Sequence, residues 1–280
     1  MSMPPPHIGR VALSVTSLDR AVDFYTNSIG LTLLEHERDS ARLSAGDEVL
    51  LVLQEQPGAY PVRRAAGLYH FALLVPSRHD LAVTLRHLLE VDAPISGYAD
   101  HAVSEAIYLT DPDGHGIEIY RDRPRSEWVY PGGDLKITVE PFDFQGVMAE
   151  LESKPAEWAG LAAETMIGHI HLQVAHIPAT EDFYIKLLGF DLMARYGSGA
   201  SFLSANGYHH HFGLNTWAGV GLPPAPAEAA QLLWYEIRLP DAAAVKAVES
   251  RLSAAGYPFR YEGASLQISD PSGIQILVSV

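Results

Sequence analysis

The sequence contains no cysteine, has few basic residues and lacks long apolar segments. The missing cysteine excludes disulfides and thiolate metal sites, and it is typical of a reducing, cytoplasmic location. Only 19 Lys and Arg accompany 34 Asp and Glu, and no basic run occurs, which argues against nucleic acid or an anionic membrane surface as a partner. No apolar run approaches the roughly 18 residues of a membrane span, and residues 1–6 show no signal-peptide pattern.

The most informative feature that is present is an internal repeat. Asp23-Phe24-Tyr25 returns as Asp182-Phe183-Tyr184, and Asp111-Pro112-Asp113-Gly114 returns as Asp270-Pro271-Ser272-Gly273, each 159 residues later. The 280 residues, 48% of them hydrophobic, suffice for two cores of domain size. The two copies differ in where they place histidine and carboxylate, and this difference points to a metal site.

Each half of the chain divides again into two similar units. Alternating apolar residues from Val11 to Val15 predict a strand, and helical periodicity follows from Leu18 to Tyr25. The same order recurs from Leu68 to Tyr120, and units three and four start near Gly168 and Leu232. The pattern therefore predicts strand–helix–strand–strand–strand four times.

These units suggest a division of the chain into three parts. Residues 1–121 hold the first pair of units, residues 122–165 form a linker with one short helix near 144–152, and residues 166–280 hold the second pair. A second irregular stretch, 217–229, is rich in Gly and Pro. We interpret it as a surface loop, with a lid as the alternative.

Four such units resemble the vicinal oxygen chelate superfamily, which includes glyoxalases, bleomycin resistance proteins and extradiol ring-cleaving dioxygenases. The resemblance implies an α+β fold in which four βαβββ modules form two open, cup-shaped mixed β-sheets with helices outside and a metal inside. It also implies that metal ligands come from the first and last strands of the units. Those positions hold His70, Glu118 and His169 in units two and three. We expect the matching places in units one and four to be Arg10, Trp234 and Gln275, which predicts that these units have lost the site.

Two histidines and one carboxylate form the ligand set of non-haem Fe(II) oxygenases, which leaves coordination positions open for substrate and dioxygen. Strand alternation puts His169, His171 and Gln173 on one face, where they can line a cup. The implied cofactor is Fe(II), with the metal left open beyond a divalent first-row ion. Because His70 and His169 must meet, unit two should pack beside unit three, and unit one beside unit four.

Further residues resemble the extradiol enzymes more than the glyoxalases. Those dioxygenases carry a tyrosine ten residues before the ligand glutamate, here Tyr108. They also carry an Asn-x-x-x-His segment on a final strand, here Asn206 to His210, which makes His210 the implied acid–base residue. Since three histidines are consecutive, His209 and His211 stay open as alternatives. His101 lies in a segment that resembles family sequences near the site, with a surface role as its alternative.

Several segments are similar to catechol 2,3-dioxygenases of the bacillus type; they are His7-Ile8-Gly9, Gly67 to Ala72, Asp100 to Ala106, Gly168 to Leu172 and Gly207 to His211. The resemblance implies an oxidoreductase of aromatic degradation, an extradiol dioxygenase that cleaves catechol or a related small dihydroxy-aromatic with dioxygen and gives a 2-hydroxymuconate semialdehyde-type product. A glyoxalase-like metal-dependent lyase or isomerase, with a fourth ligand from the histidine triplet, is one alternative. A non-catalytic protein that binds small aromatics is the other. Ring substituents and a homo-oligomeric state stay open.

Overall fold

A computed structural model describes residues 6–62, 64–133 and 135–280. Residues 1–5, which contributed to the expectation that no signal peptide is present, lie outside these ranges. Within them, no helix is both long and apolar enough to cross a membrane.

The first two units follow the predicted order. Unit one contains β1 (His7–Val15), α1 (Leu18–Asp23) with a π-helical extension (Phe24–Ser28), β2 (Thr32–His36), β3 (Ser40–Ala45) and β4 (Glu48–Glu55). A two-residue strand, β5 (Tyr60–Pro61), leads to unit two, which contains β6 (Gly67–Leu74), α2 (Arg78–Glu90), β7 (Ile95–Asp100), β8 (Ser104–Thr110) and β9 (Gly116–Asp122).

The segment after unit two contains two 3-10 turns (Arg125–Glu127 and Pro131–Gly133) and α3 (Phe144–Ser153). Unit three contains β10 (Met166–Gln173), α4 (Ile177–Asp182) with a π-helical extension (Phe183–Leu188), β11 (Asp191–Tyr196), β12 (Ala200–Ser204) and β13 (Phe212–Asn215). After β14 (Ala229–Ala230), unit four contains β15 (Leu232–Arg238), α5 (Ala242–Ala254), β16 (Phe259–Glu262), β17 (Ser265–Ser269) and β18 (Gln275–Ser279).

Short polar side chains cap the first helix in three of the four units. Ser17 caps α1, and Ser77 caps α2 by accepting a hydrogen bond from the backbone N–H of Asp80 at 3.1 Å. Such a side chain satisfies one of the N–H groups that the first turn leaves without a partner. Asp241 caps α5 of unit four in the same way, whereas α4 of unit three follows His176 and has no side-chain cap.

The strands form two eight-stranded sheets, and each sheet combines strands from both halves of the chain. One has the order β16-β17-β18-β15-β1-β4-β3-β2, and the other has β11-β12-β13-β10-β6-β9-β8-β7. The central pairs, β1 with β15 and β10 with β6, are antiparallel. The predicted α+β fold is confirmed, and so is the packing of unit two beside unit three and of unit one beside unit four. The division of the chain at 121 and 165 stays a prediction.

The apolar face of each sheet packs against the helices. Tyr25, Phe71, Tyr184 and Tyr235 are among the largest fully buried side chains, and they belong to one continuous core cluster. Burial of this much aromatic and aliphatic surface is the main force that holds the helices on the sheets. The opposite faces of the strands are left for polar residues.

Residues 135–140 of the predicted linker run along the edge of β7. The N–H of Glu140 donates to the carbonyl of Asp100 at 2.8 Å, and the N–H of Thr138 donates to the carbonyl of His101 at 3.3 Å. The helix predicted near 144–152 is confirmed as α3. The linker thus carries a short extended segment that the sequence did not predict.

Candidate metal centre

His70, Glu118 and His169 come together on three neighbouring strands. β6 lies between β9 and β10, and its Ala72 pairs with Glu118 on one side and with His169 on the other. Oε2 of Glu118 is 3.0 Å from Nε2 of His70 and 3.2 Å from Nε2 of His169. One donor atom from each residue lies within 4.8 Å of the others, and all three residues are buried. The prediction that the two histidines meet across the halves is confirmed.

The protonation states suit a divalent cation. Burial alone would raise the pKa of Glu118, but the imidazoles of His169 and His70 outweigh it and hold that pKa well below its usual range. Burial lowers the pKa of His169 to about 4, against the opposing effect of Glu118. An ionised carboxylate beside neutral imidazoles is the form in which these side chains bind metals.

The hydrogen-bonding pattern also fits an ion. Nε2 of His70 is buried and makes no hydrogen bond with any described residue, although Oε2 of Glu118 is only 3.0 Å away. A buried polar atom without a partner is costly, and a shared cation would satisfy it. Two nitrogens and one carboxylate match the donor set that non-haem Fe(II) enzymes use.

A cavity of about 590 Å³ opens beside these residues. His70 and Glu118 line it together with Tyr108, His101 and His210. Its other walls are largely apolar and aromatic, formed by Tyr69, Tyr98, Leu135, Ile137, Val139, Phe202 and Trp217 among others. An apolar cavity with a few convergent polar groups is the usual form of a small-molecule site.

Tyr108 and His101 are in direct contact within this cavity. Nε2 of His101 is 2.6 Å from the Tyr108 hydroxyl, and Nδ1 is 2.6 Å from the carbonyl oxygen of Thr138. Because a carbonyl only accepts, Nδ1 of His101 carries the hydrogen and Nε2 accepts from Tyr108. Burial, reinforced by the charge of Glu118, raises the pKa of Tyr108 well above its usual range, so this hydroxyl keeps its proton.

The three consecutive histidines lie in a turn and not on a strand as expected. Asn206 and Gly207 have φ values of 56° and 63°, and this left-handed backbone ends the extended segment, so that β13 begins only at Phe212. Among the described residues that line the cavity, the triplet contributes His210 alone. His209 instead contacts Asp122, and Nδ1 of His211 lies 2.8 Å from the Ser204 hydroxyl.

Burial lowers the pKa of His210 well below its usual range, with the neighbouring His169 adding to the effect. The ring of His210 lies 4.1 Å, centroid to centroid, from that of His169. A neutral imidazole at this place can accept a proton from a bound molecule. Its position at the cavity wall beside a candidate ligand is compatible with an acid–base role.

The other sheet shows how the corresponding site was lost. Arg10 lies where unit three has His169, and it forms two hydrogen bonds of 2.8 Å with the buried Glu236.

The expected correspondence between Gln275 and Glu118 is wrong. Glu118 pairs with Ala72 on the neighbouring strand, and Leu277 pairs in the same register with Glu236, which holds the place of Ala72 in unit four. The residue of unit four that matches Glu118 is therefore Leu277. The constant repeat offset of 159 residues also leads from Glu118 to Leu277.

Several residues of the cavity were not predicted as functional. His171 is buried directly opposite His70, with their ring centroids 5.0 Å apart, and strand alternation was the signal for it. Gly213 makes room for this ring, because a Cβ there would lie 2.7 Å from it. Trp217, the first residue of the irregular stretch 217–229, contacts the ring of Tyr69 at the cavity wall. The alternation of Leu135, Ile137 and Val139 within the linker could have indicated a wall segment.

Comparisons with known proteins show the family of the chain. The sequence matches the family described as Glyoxalase/Bleomycin resistance protein/Dioxygenase superfamily over residues 7–119 and 166–278. It is 43% identical over 270 residues to a catechol-2,3-dioxygenase of Bacillus subtilis (strain 168). The aligned residues make up 95% of this chain and 94% of the relative. The chain therefore belongs to the Glyoxalase/Bleomycin resistance protein/Dioxygenase superfamily. Within it, the expected enzyme class is confirmed, and the protein is an oxidoreductase of the dioxygenase type.

Solved structures share the fold at low sequence identity. A putative dioxygenase from Bacillus subtilis has a TM-score of 0.66 at 13% identity, covering 99% of this chain and 86% of that chain. Glyoxalase I from Zea mays has a TM-score of 0.58 at 15% identity, covering 97% of this chain and 91% of that chain. These likenesses establish the fold alone.

Proposed function

We propose that the protein is an Fe(II)-dependent extradiol dioxygenase that cleaves catechol or a related small dihydroxy-aromatic and gives a 2-hydroxymuconate semialdehyde-type product. His70, Glu118 and His169 would hold the metal. The observation that carries the proposal is the convergence of three donor atoms, one from each residue, beside an aromatic-lined cavity that His70 and Glu118 line. The 43% identity to a protein named catechol-2,3-dioxygenase supports the substrate class.

Fe(II) bound there would supply coordination of the substrate oxygens and of dioxygen. The side chains of the protein would accept and donate the protons of the reaction. His210, neutral and at the cavity wall, would accept a proton from a substrate hydroxyl and return it later in the reaction. Tyr108 would accept a hydrogen bond from the substrate while its own hydrogen lies on His101, and would donate to the substrate oxygen after rotation of its hydroxyl.

The cavity is compatible with an aromatic ring and a substituent. A cavity of about 150 Å³ is enough to hold benzene, whereas this one measures about 590 Å³. Its rings and aliphatic side chains would exclude water from the reacting atoms, which strengthens each polar contact in the site. The lack of cysteine supports a reducing, cytoplasmic location for such an enzyme.

The lyase alternative has less support. It would need a fourth protein ligand from His209 or His211, but their ring nitrogens contact Asp122 and Ser204. Among the described residues, the metal-type cluster has three members. Three protein ligands leave room for substrate and dioxygen, as the dioxygenase reaction requires.

Anaerobic reconstitution with Fe(II) tests the proposal. Addition of catechol and air should consume dioxygen and give a yellow product that is followed by absorbance. Reconstitution with Zn²⁺ serves as the control and should give neither. Binding of catechol to the Fe(II)-loaded protein without dioxygen uptake would favour the non-catalytic alternative and contradict the proposal.

A further inference from the structure

A chain of three side chains leads from the end of β9 to the cavity. Oδ1 of Asp122 is 2.8 Å from Nε2 of His209, and Nδ1 of His209 is 2.7 Å from Nδ1 of His210. The His209 side chain is fully buried, whereas that of Asp122 is 25% exposed. Of these three side chains, His210 is the one that lines the described cavity.

The order of donors along the chain follows from the carboxylate. The carboxylate oxygen of Asp122 accepts, so Nε2 of His209 carries a hydrogen. With a single ring hydrogen, His209 has its lone pair on Nδ1. The 2.7 Å contact between the two Nδ1 atoms needs one hydrogen, which must therefore come from His210. This arrangement leaves Nε2 of His210 without a hydrogen.

We propose that Asp122 and His209 are positioning residues that fix the tautomer of His210 and leave its Nε2 as the proton acceptor. The inference rests on the proposed function only in the role it gives to His210. Its physical basis is general, since the second partner of an imidazole decides which ring nitrogen is protonated.

The hydrogen-bonded series of Asp122, His209 and His210 also compensates the charge that proton transfer creates. A proton that moves from a substrate hydroxyl to Nε2 turns His210 into an imidazolium and leaves the substrate oxygen negative. Nδ1 of His210 keeps its hydrogen and its bond to His209. Asp122, at the far end of the chain, provides the compensating negative charge, and no electrons are exchanged in this step.

The strand β9 explains why these groups lie so close together. Glu118, Tyr120 and Asp122 alternate along one face of it, because successive side chains of a strand point to opposite faces. Tyr120 fills the gap between the two carboxylates and its hydroxyl is 2.7 Å from that of Tyr208. One strand therefore carries both a candidate metal ligand and the anchor of the candidate base.

Nuclear magnetic resonance of the full chain tests the tautomer directly. Protein labelled with ¹⁵N-histidine and loaded with Zn²⁺, a diamagnetic ion, is measured by long-range ¹H–¹⁵N correlation, and single His→Gln variants assign the signals. We expect hydrogen on Nε2 of His209 and on Nδ1 of His210. Hydrogen on Nε2 of His210 in the wild-type protein would overturn the inference. This measurement does not depend on ring cleavage, so it separates failure of the inference from failure of the proposed function.

Kinetics of the Fe(II)-loaded enzyme provide the second test. Asp122→Asn should lower kcat while KM for catechol and iron content change little, and Asp122→Glu should restore part of the rate. In serine proteases, loss of the carboxylate that fixes a histidine tautomer costs about 10⁴-fold in kcat, which sets an upper limit here. His87→Gln is the matched control, since His87 is also buried but contacts Asn27 and Trp158 away from the cavity. Unchanged kcat in Asp122→Asn would reject the positioning role.

Discussion

The hydroxyl of Tyr108 lies 2.6 Å from Nε2 of His101, whose other ring nitrogen lies 2.6 Å from the carbonyl of Thr138. The linker backbone therefore decides which way the Tyr108 hydrogen points. In the proposed reaction, this tyrosine and His101 act as a unit, and their effects on the rate should not be independent.

Tyr108→Phe should lower kcat with catechol and leave iron bound, because it deletes one hydrogen bond to an ionised oxygen. Such a bond is worth roughly 1.5–3 kcal/mol, or about 10–150-fold in rate. His101→Gln should slow the enzyme less, and the double variant should lose little more than Tyr108→Phe alone. Steady-state kinetics of the three variants give the coupling free energy between Tyr108 and His101. Fully additive losses would show that the two residues act separately.

Glu118→Gln should lower iron occupancy markedly, because a neutral amide is a poor ligand for Fe(II). Metal analysis after anaerobic reconstitution is the measurement. Glu236→Gln, a change of the buried carboxylate in the other sheet, is the matched control and should keep the iron. A Glu118→Gln protein with full iron content would exclude this residue as a ligand.

His210→Phe should keep iron and lose about 10²–10⁴-fold in turnover, the usual contribution of a positioned acid–base group. Dioxygen uptake and iron content are measured on the same samples. His211→Gln should affect the rate less, since Nδ1 of His211 contacts Ser204 and not the cavity. The reverse order of sensitivity would move the acid–base role to His211.

Asp270 should make stability fall as the pH rises. Burial raises the pKa of Asp270 to about 6 from its usual 3.8, despite hydrogen bonds from backbone N–H groups. The folded state then binds the proton more tightly than the unfolded state, so the stabilisation is full below about pH 4 and is lost by about pH 6. Two pKa units correspond to about 3 kcal/mol. Because the lowered pKa values of His169 and His210 act in the opposite direction over this range, the measurement is the difference in unfolding free energy between the wild type and Asp270→Asn. In urea unfolding, this difference should change by up to that amount between pH 4 and 6, with the wild type losing stability relative to Asp270→Asn as the pH rises.

The matched position in the other half is Asp111, whose Oδ2 accepts a hydrogen bond of 2.9 Å from the Tyr25 hydroxyl. Oδ2 of Asp270 has no hydrogen-bond partner among the described residues. Asp111→Asn is therefore the control, and it should leave the slope between pH 4 and 6 in place. Equal slopes in wild type and Asp270→Asn would contradict the assignment.

Ile137 in the linker wall should affect the choice of ring substituent. Ile137→Trp would fill part of the cavity and should reduce kcat/KM for 3- and 4-alkylcatechols by about 10-fold or more, with a smaller effect on catechol. Val220→Trp, an exposed residue outside the cavity lining, is the control. Parallel losses for all substrates would show that Ile137 does not face the substituent.

Much of the fold and part of the site could be predicted from the sequence, because repeats and strand alternation act at fixed spacings. The family resemblance, applied at those spacings, indicated His70, Glu118 and His169 as ligands from different halves, and the structure brings the three together. The role of Asp122 could not be read in this way. Its contact with His209 joins residues 87 positions apart through a turn, and nothing in the local pattern of either segment specifies it.

The same limit applies to the linker and to the histidine triplet. Thr138 contacts His101 through a carbonyl oxygen, which any residue type would supply, so the sequence carries no mark of it. The triplet was expected on a strand because the dioxygenase segment that it resembles lies on a final strand. The left-handed backbone at Asn206 and Gly207 ended the strand instead, and this turn gave three adjacent histidines three different environments.

The pairing of β1 with β15 and of β6 with β10 has a consequence for any attempt to divide the protein. A fragment that ends near residue 121 would contain four strands of each eight-stranded sheet. Its central strands, β1 and β6, would lack their neighbours β15 and β10. Unpaired central edges of this kind favour association with another chain. Two co-expressed fragments, cut within 122–165, should therefore find each other and reassemble, whereas either fragment alone should aggregate or pair with its own copy.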